Sequence, residues 1–177
     1  MKKTIFILLT ILTISCNNSY ETINPTNSTT INLVTGINFR QNFDDPPLEL
    51  GNPNILVNNM FVIYPNPANA TVFLSSTQNV TDVWIVPASP EKIYQDLDFS
   101  TILNSNLYSE QSIISNSNFS LTAQSSTNLS LNIGTLATGY YRVFVKIGGN
   151  IYWDNLYKNN GSSPEQMATI VNFGTIL

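Results

Sequence analysis

Histidine is absent from this chain of 177 residues, cysteine occurs once, and charged side chains make up only 10% of it. Without imidazole there is no Ser-His-Asp triad, no histidine base and no His-containing zinc site. A single cysteine closes no internal disulfide, so the fold rests on its apolar core. Basic residues are scarce as well, seven Lys and Arg against eleven Asp and Glu, and they form no cluster beyond Lys2-Lys3. That removes the electrostatic footprint of a nucleic-acid binder. What the chain does have is 42% hydrophobic and 11% aromatic residues, enough to bury the core of one domain.

Met1-Lys2-Lys3 leads into the apolar run Thr4–Ile14, the pattern of an export signal. The run is shorter than the roughly 20 residues a helix needs to cross a hydrocarbon core, so removal rather than anchoring is expected. Leu12-Thr13-Ile14-Ser15-Cys16 resembles a bacterial lipobox, in which a small residue precedes a cysteine that is acylated and becomes the new N-terminus. That resemblance makes residues 1–15 a lipoprotein signal peptide and Cys16 the lipidation site. Two or more acyl chains hold a protein firmly to a bilayer, whereas one holds it marginally. The membrane is therefore the first expected partner, and the outer membrane of the cell envelope the expected location, with the face left open. Loss of Lys2 and Lys3 leaves five basic against eleven acidic residues, a net charge near −6.

Residues 16–38 are dominated by Asn, Ser and Thr and read as a flexible tether, in which Ile31–Val34 offers at most an edge strand. The folded domain is expected over 39–177. Phe61–Tyr64 is a strand stopped by Pro65-Asn66-Pro67, because proline cannot donate to a ladder. Ala70–Leu74 and Val80–Val86 follow as two more, the second ended by Pro87. Leu129-Ser130-Leu131-Asn132-Ile133 alternates with period two, which points Leu129, Leu131 and Ile133 at the core. Tyr140–Ile147 and Ile151–Tyr157, joined by Gly148-Gly149-Asn150, form a hairpin. In its first strand Tyr141, Val143, Val145 and Ile147 share one face, and Tyr140, Arg142, Phe144 and Lys146 the other. Ser89–Leu97 has an N-cap serine, a proline at the first helical position and an i,i+4 apolar pair, which predicts a short inserted helix. The apolar tail Thr169–Leu177 suits a last strand. Short strands with turns between them and one helix argue an all-β sandwich.

Two stretches resemble known landmarks. Ile63-Tyr64-Pro65-Asn66-Pro67-Ala68 is similar to the opening, and Leu131–Val143 to the closing strand pair, of C-terminal sorting domains of the type IX secretion system in Bacteroidota. The resemblance covers residues 61–158. It implies an immunoglobulin-like antiparallel β-sandwich and export to the cell surface. The chain departs from that family in its Pro87–Leu107 insertion, in Val86-Pro87-Ala88-Ser89 at the turn after the third strand, and in pairing the domain with a lipobox. Each motif residue also has a structural reason: Pro65 and Pro67 fix a bend, and Tyr141 buries its ring while its hydroxyl seeks a backbone partner.

Catalysis lacks its parts. A nucleophile would need a lysine or carboxylate base, and neither Asp96 with Asp98 nor Asp44 with Asp45 sits in an active-site frame. No enzyme and no cofactor is expected. Asp44, Asp45 and Glu49 have oxygen ligands of the kind calcium takes, but their spacing is not that of an EF-hand, and solvated turn carboxylates explain them first. A binding module fits better, since aromatics on a rigid sandwich stack against sugars or cover an apolar partner. Trp153, Tyr152 and Tyr157 are the leading residues, with Tyr94 and Tyr108 behind them and Trp84 assigned to the core. A glycan or an envelope protein is the partner this implies. A purely structural role through an edge strand is the other reading.

Overall fold

The computed structural model describes residues 31–51, 59–90 and 108–161. Its clearest local unit is the Gly-Gly hairpin. Strands β8 (Gly139–Ile147) and β9 (Asn150–Lys158) pair antiparallel from Ile147↔Asn150 to Gly139↔Lys158. Gly148 and Gly149 make the connection with φ of 57° and 85°, a left-handed pair that a side chain resists and that matches the twist of the flanking strands.

The other strands assemble on a single long one, β5 (Thr71–Pro90). Its first half pairs antiparallel with β4 (Phe61–Tyr64) on one side and β7 (Ser126–Asn132) on the other. Its second half pairs with β8, with β6 (Phe119–Leu121) at Val83–Ile85 and, in parallel, with β1 (Ile31–Leu33) at Ala88–Pro90. The two runs expected on either side of residues 75–79 are thus one strand, and Pro87 does not end it. Proline is tolerated there because it lies in the interval between the β6 and β1 ladders.

A bulge sets which side chains face inward. Val80 pairs with Ile147 and Asp82 with Lys146, so Thr81 is the extra residue. Side chains alternate along a strand, and one inserted residue reverses their sense. Val72, Leu74 and Val80 before the bulge and Val83 and Ile85 after it therefore point into one core with Phe61, Ile63, Leu131, Ile133, Tyr141, Val143, Val145, Ile147 and Leu156. Leu129 packs against that core from its edge. The Tyr141 hydroxyl donates to the Ala137 carbonyl at 2.9 Å, the backbone partner its sequence context predicts.

After the bulge the opposite face of the sheet is buried too. Trp84, Val86, Phe144 and Trp153 are covered by Ile113 of helix α1 (Glu110–Asn116), and Tyr140 and Tyr157 by Leu33 and Ile37. Ser109 caps α1, its hydroxyl accepting from the Ser112 N–H at 3.2 Å. Of the helix predicted over 89–97, Ser89 and Pro90 instead end β5, and the remainder lies outside the described residues. So do the predicted tail strand and Cys16.

Strands β2 (Ile37–Phe39) and β3 (Leu48–Leu50) form a separate antiparallel pair beside β9. Leu33 and Ile37 are fully buried, so the segment expected to be tether as far as residue 38 is packed structure from Ile31 onward. Apolar burial decides this: two aliphatic side chains removed from water contribute about 3–6 kcal/mol, enough to order a short segment.

Candidate functional site

The Pro-Asn-Pro turn after β4 organises the surface. Arg40 and Asn66 exchange backbone hydrogen bonds of 2.9 and 2.8 Å as an isolated antiparallel bridge. Asn66 is fully buried; its Nδ2 donates to the Asn155 carbonyl at 2.8 Å and its Oδ1 accepts from the Tyr157 N–H at 3.1 Å. The side chain thus pairs with the outer edge of β9 as a peptide group would. Ala68 extends the closure, donating to the Tyr157 carbonyl and accepting from Asn159. Both prolines follow cis peptide bonds.

Because Asn66 points inward, the residues flanking the bridge fall on the opposite side. Phe39 and Gln41 from one strand and Pro65 and Pro67 from the other line an open cleft of about 440 Å³, completed by Asn69, Asn159 and Gly161. None of the described residues that line it is charged.

Next to the cleft runs an aromatic stripe. Tyr64 and Phe73 are direct cross-strand partners, their ring centroids 5.6 Å apart and their planes 31° from parallel. Phe43 meets Tyr64 edge-on at 6.0 Å. Phe43 is 48% and Phe73 43% exposed, high values for phenylalanine. Phe43 is held in place by its turn: the Asp45 carboxylate accepts the N–H groups of Asn42 at 2.7 Å and Gln41 at 3.0 Å, and Arg40 Nη1 donates to the Asp45 carbonyl at 2.5 Å.

The register also fixes the neighbours of the stripe. Val62, Ser75 and Asn128 form one row, Phe73 and Ser130 the next, and Thr71 and Asn132 the last, all facing outward with Tyr64. Hydroxyl and amide groups therefore border the rings, and these rows carry no charge. The Ser75 hydroxyl donates to Asn128 Oδ1 at 2.9 Å. No family model, curated protein or solved structure matches the chain. The site is therefore argued from its own geometry.

The aromatics nominated from the sequence lie elsewhere. Trp153 is 3% exposed, its ring 3.7 Å beneath the Arg142 guanidinium. Tyr157 is buried against Tyr140 at 4.8 Å, and Tyr152 is half-buried against the main core. These three make no exposed row, because both faces of β9 are covered. Tyr108 stands edge-on to Phe144 at 5.1 Å and accepts a hydrogen bond from Arg142 Nη1, while Tyr94, Asp96 and Asp98 lie outside the described residues. Trp84 is core, as its sequence context predicts.

Asp44, Asp45 and Glu49 do not assemble into a cation site. Asp45 is engaged in its own turn, and the Asn42 and Gln41 N–H groups hold its carboxyl below the usual range. Glu49 stands on β3, where partial burial raises its carboxyl. No group of three potential metal ligands occurs among the described residues.

A buried polar cluster underlies β9. Arg142 is fully buried; its Nε donates to Asn155 Oδ1 at 3.2 Å, its Nη2 has no hydrogen-bond partner among the described residues, and burial pushes its pKa down to about 10. Asp154 Oδ1 accepts from the Asn155 N–H at 2.7 Å and from Asn38 Nδ2 at 3.1 Å. Burial outweighs these bonds and pushes its pKa up to about 6. Asn155 Nδ2 reaches the Thr35 hydroxyl at 2.7 Å and the Gly36 carbonyl at 3.0 Å. This cluster stitches the β1–β2 segment to the sheet.

The stripe was missed by sequence reasoning, although one signal for it exists. In Phe61-Val62-Ile63-Tyr64 and Val72-Phe73-Leu74 the inward positions are aliphatic or Phe61, which leaves Tyr64 and Phe73 outside.

Proposed function

We propose that this protein is a non-catalytic binding module of the cell envelope, an immunoglobulin-like β-sandwich held at the outer membrane by acyl chains on Cys16, that takes up uncharged glycan on its Phe43–Tyr64–Phe73 stripe. The exposed stripe carries the reading. Ring faces offer apolar contact to the C–H faces of sugars, and bordering hydroxyls and amides meet the sugar hydroxyls, whereas the uncharged rows around Tyr64 and Phe73 give an acidic polymer no cationic partner. The sandwich is supported by β5, whose two halves enter different ladders that enclose one core.

Affinity electrophoresis of the full chain through gels containing laminarin, mannan or alginate tests the binding. Retardation by a neutral polysaccharide, lost in Phe73→Ala and absent with alginate, is expected; equal mobility in every gel overturns the glycan reading. Metabolic acyl labelling of the parent beside Cys16→Ala, with protease shaving of intact cells, tests the anchor and its face. An uncut leader without acyl label overturns it.

Type IX secretion cargo is the second reading, supported by Tyr64–Ala68 and Leu131–Val143 occurring in the family's order. Its test is surface exposure in cells with and without that translocon.

A further inference from the structure

The cleft beside the stripe contains a side chain that the fold leaves half used. Asn159 is 8% exposed, and its Oδ1 accepts the Gly161 N–H at 2.6 Å. That bond fixes the orientation of the carboxamide. Among the described residues nothing accepts from its Nδ2, and Asn159 lines the cleft. The donor opens to the cleft rather than being sealed in the protein, since among the described residues Arg142 Nη2 is the buried side-chain atom left without a hydrogen-bond partner, so a bound molecule can accept from Asn159. Gln41 and Asn69 add two exposed carboxamides whose side chains have no partner among the described residues, and Phe39, Pro65 and Pro67 supply an apolar floor.

One fixed donor, two adjustable amides, an apolar floor and no charge among the described lining residues suit a molecule with hydroxyl oxygens at its rim and C–H groups on its faces. The volume of about 440 Å³ falls within the range of small-molecule sites. Pro65 of the cleft is bonded to Tyr64 of the stripe, and Gln41 of the cleft lies two residues before Phe43.

We propose that this cleft is a subsite for the terminal sugar of an uncharged glycan whose following units lie over Phe43, Tyr64 and Phe73; the proposal rests on the glycan reading above. Asn159 Nδ2 donates to a ring or hydroxyl oxygen of that sugar, Gln41 and Asn69 reach its other hydroxyls, and the prolines meet its face.

The test is titration of the full chain, ¹⁵N-labelled and in mild detergent, with cellohexaose, laminarihexaose and mannohexaose, and with hexagalacturonate as the charged control. One neutral hexasaccharide is expected to shift the side-chain NH₂ resonances of Asn159. Asn159→Asp keeps an oxygen for the Gly161 N–H but loses the donor, and it is expected to weaken binding about tenfold, as is the pair Gln41→Ala with Asn69→Ala. Thermal melts matching the parent exclude misfolding, and Phe73→Ala weakens binding independently. If Phe73→Ala weakens binding while both cleft variants bind like the parent, the subsite is overturned and the stripe stands. If no neutral hexasaccharide binds the parent, or hexagalacturonate binds equally well, the subsite and the glycan reading fall together.

Discussion

Asn66 and Tyr157 stand 91 residues apart in sequence, yet the carboxamide oxygen of one accepts the backbone N–H of the other at 3.1 Å while the same amide donates to Asn155 at 2.8 Å. A side chain here occupies the place of a neighbouring strand. The asparagine between the two prolines thereby has a physical reason that involves no receptor.

Asn66→Ala leaves a buried N–H and a buried carbonyl on β9 without partners, and each orphaned group costs about 1–3 kcal/mol. A loss of roughly 2–5 kcal/mol in urea unfolding is expected, with the stripe residues untouched. A variant as stable as the parent would show that water or another group satisfies the edge of β9.

Asp154 predicts an acid-side stability maximum. Its folded pKa, about 6, lies above its model-peptide value of 3.8. The folded state therefore binds this proton more tightly than the unfolded chain. Stability conferred by the protonated form is complete below 3.8, falls as pH rises from there to about 6, and levels off above it. The full effect is on the order of 3 kcal/mol. Asp154→Asn retains an oxygen for Asn38 and Asn155 without the charge, so it should melt higher than the parent at pH 7.5 and flatten the profile between pH 4 and 6. A parent whose stability rises with pH across that window contradicts the burial of Asp154.

Trp84→Phe leaves Trp153 as the sole tryptophan of the two. Its emission should be blue-shifted and poorly quenched by acrylamide, since the indole lies beneath Arg142 at 3% exposure. Solvent-like emission from the folded variant would restore Trp153 to the binding surface.

Parts of this fold are legible in the sequence because local chemistry alone decides them. Two glycines at left-handed φ set the hairpin, and strict alternation over residues 129–133 needs only one buried face. The length of β5 is not legible: the polar stretch Ser75–Asn79 looks like a break, and Pro87 like a stop, until tertiary partners on both sides hold them extended. The reversal at Thr81 has a sequence trace, apolar residues at 72, 74 and 80 giving way to 83 and 85, but the same trace fits two separate strands. The stripe is hidden for a different reason. Tyr64 meets Phe73 only through the register around the Pro-Asn-Pro turn, and Phe43 joins them from another part of the chain. Trp153 misled because its alternation partner Tyr152 is the less buried of the two.

Because β5 threads both ladders, neither can come apart without loosening a strand of the other. Such a spine makes the body one cooperative unit: amide protons on β5 and β8 should exchange only through global opening, while those of the β2–β3 pair, fastened from outside by side-chain bonds, escape sooner through local release. The rings of Tyr64 and Phe73 sit on the slow-exchanging unit and Phe43 on the quick one, so a ligand gripping all three would slow exchange in β2 and β3 well before it touched the rest.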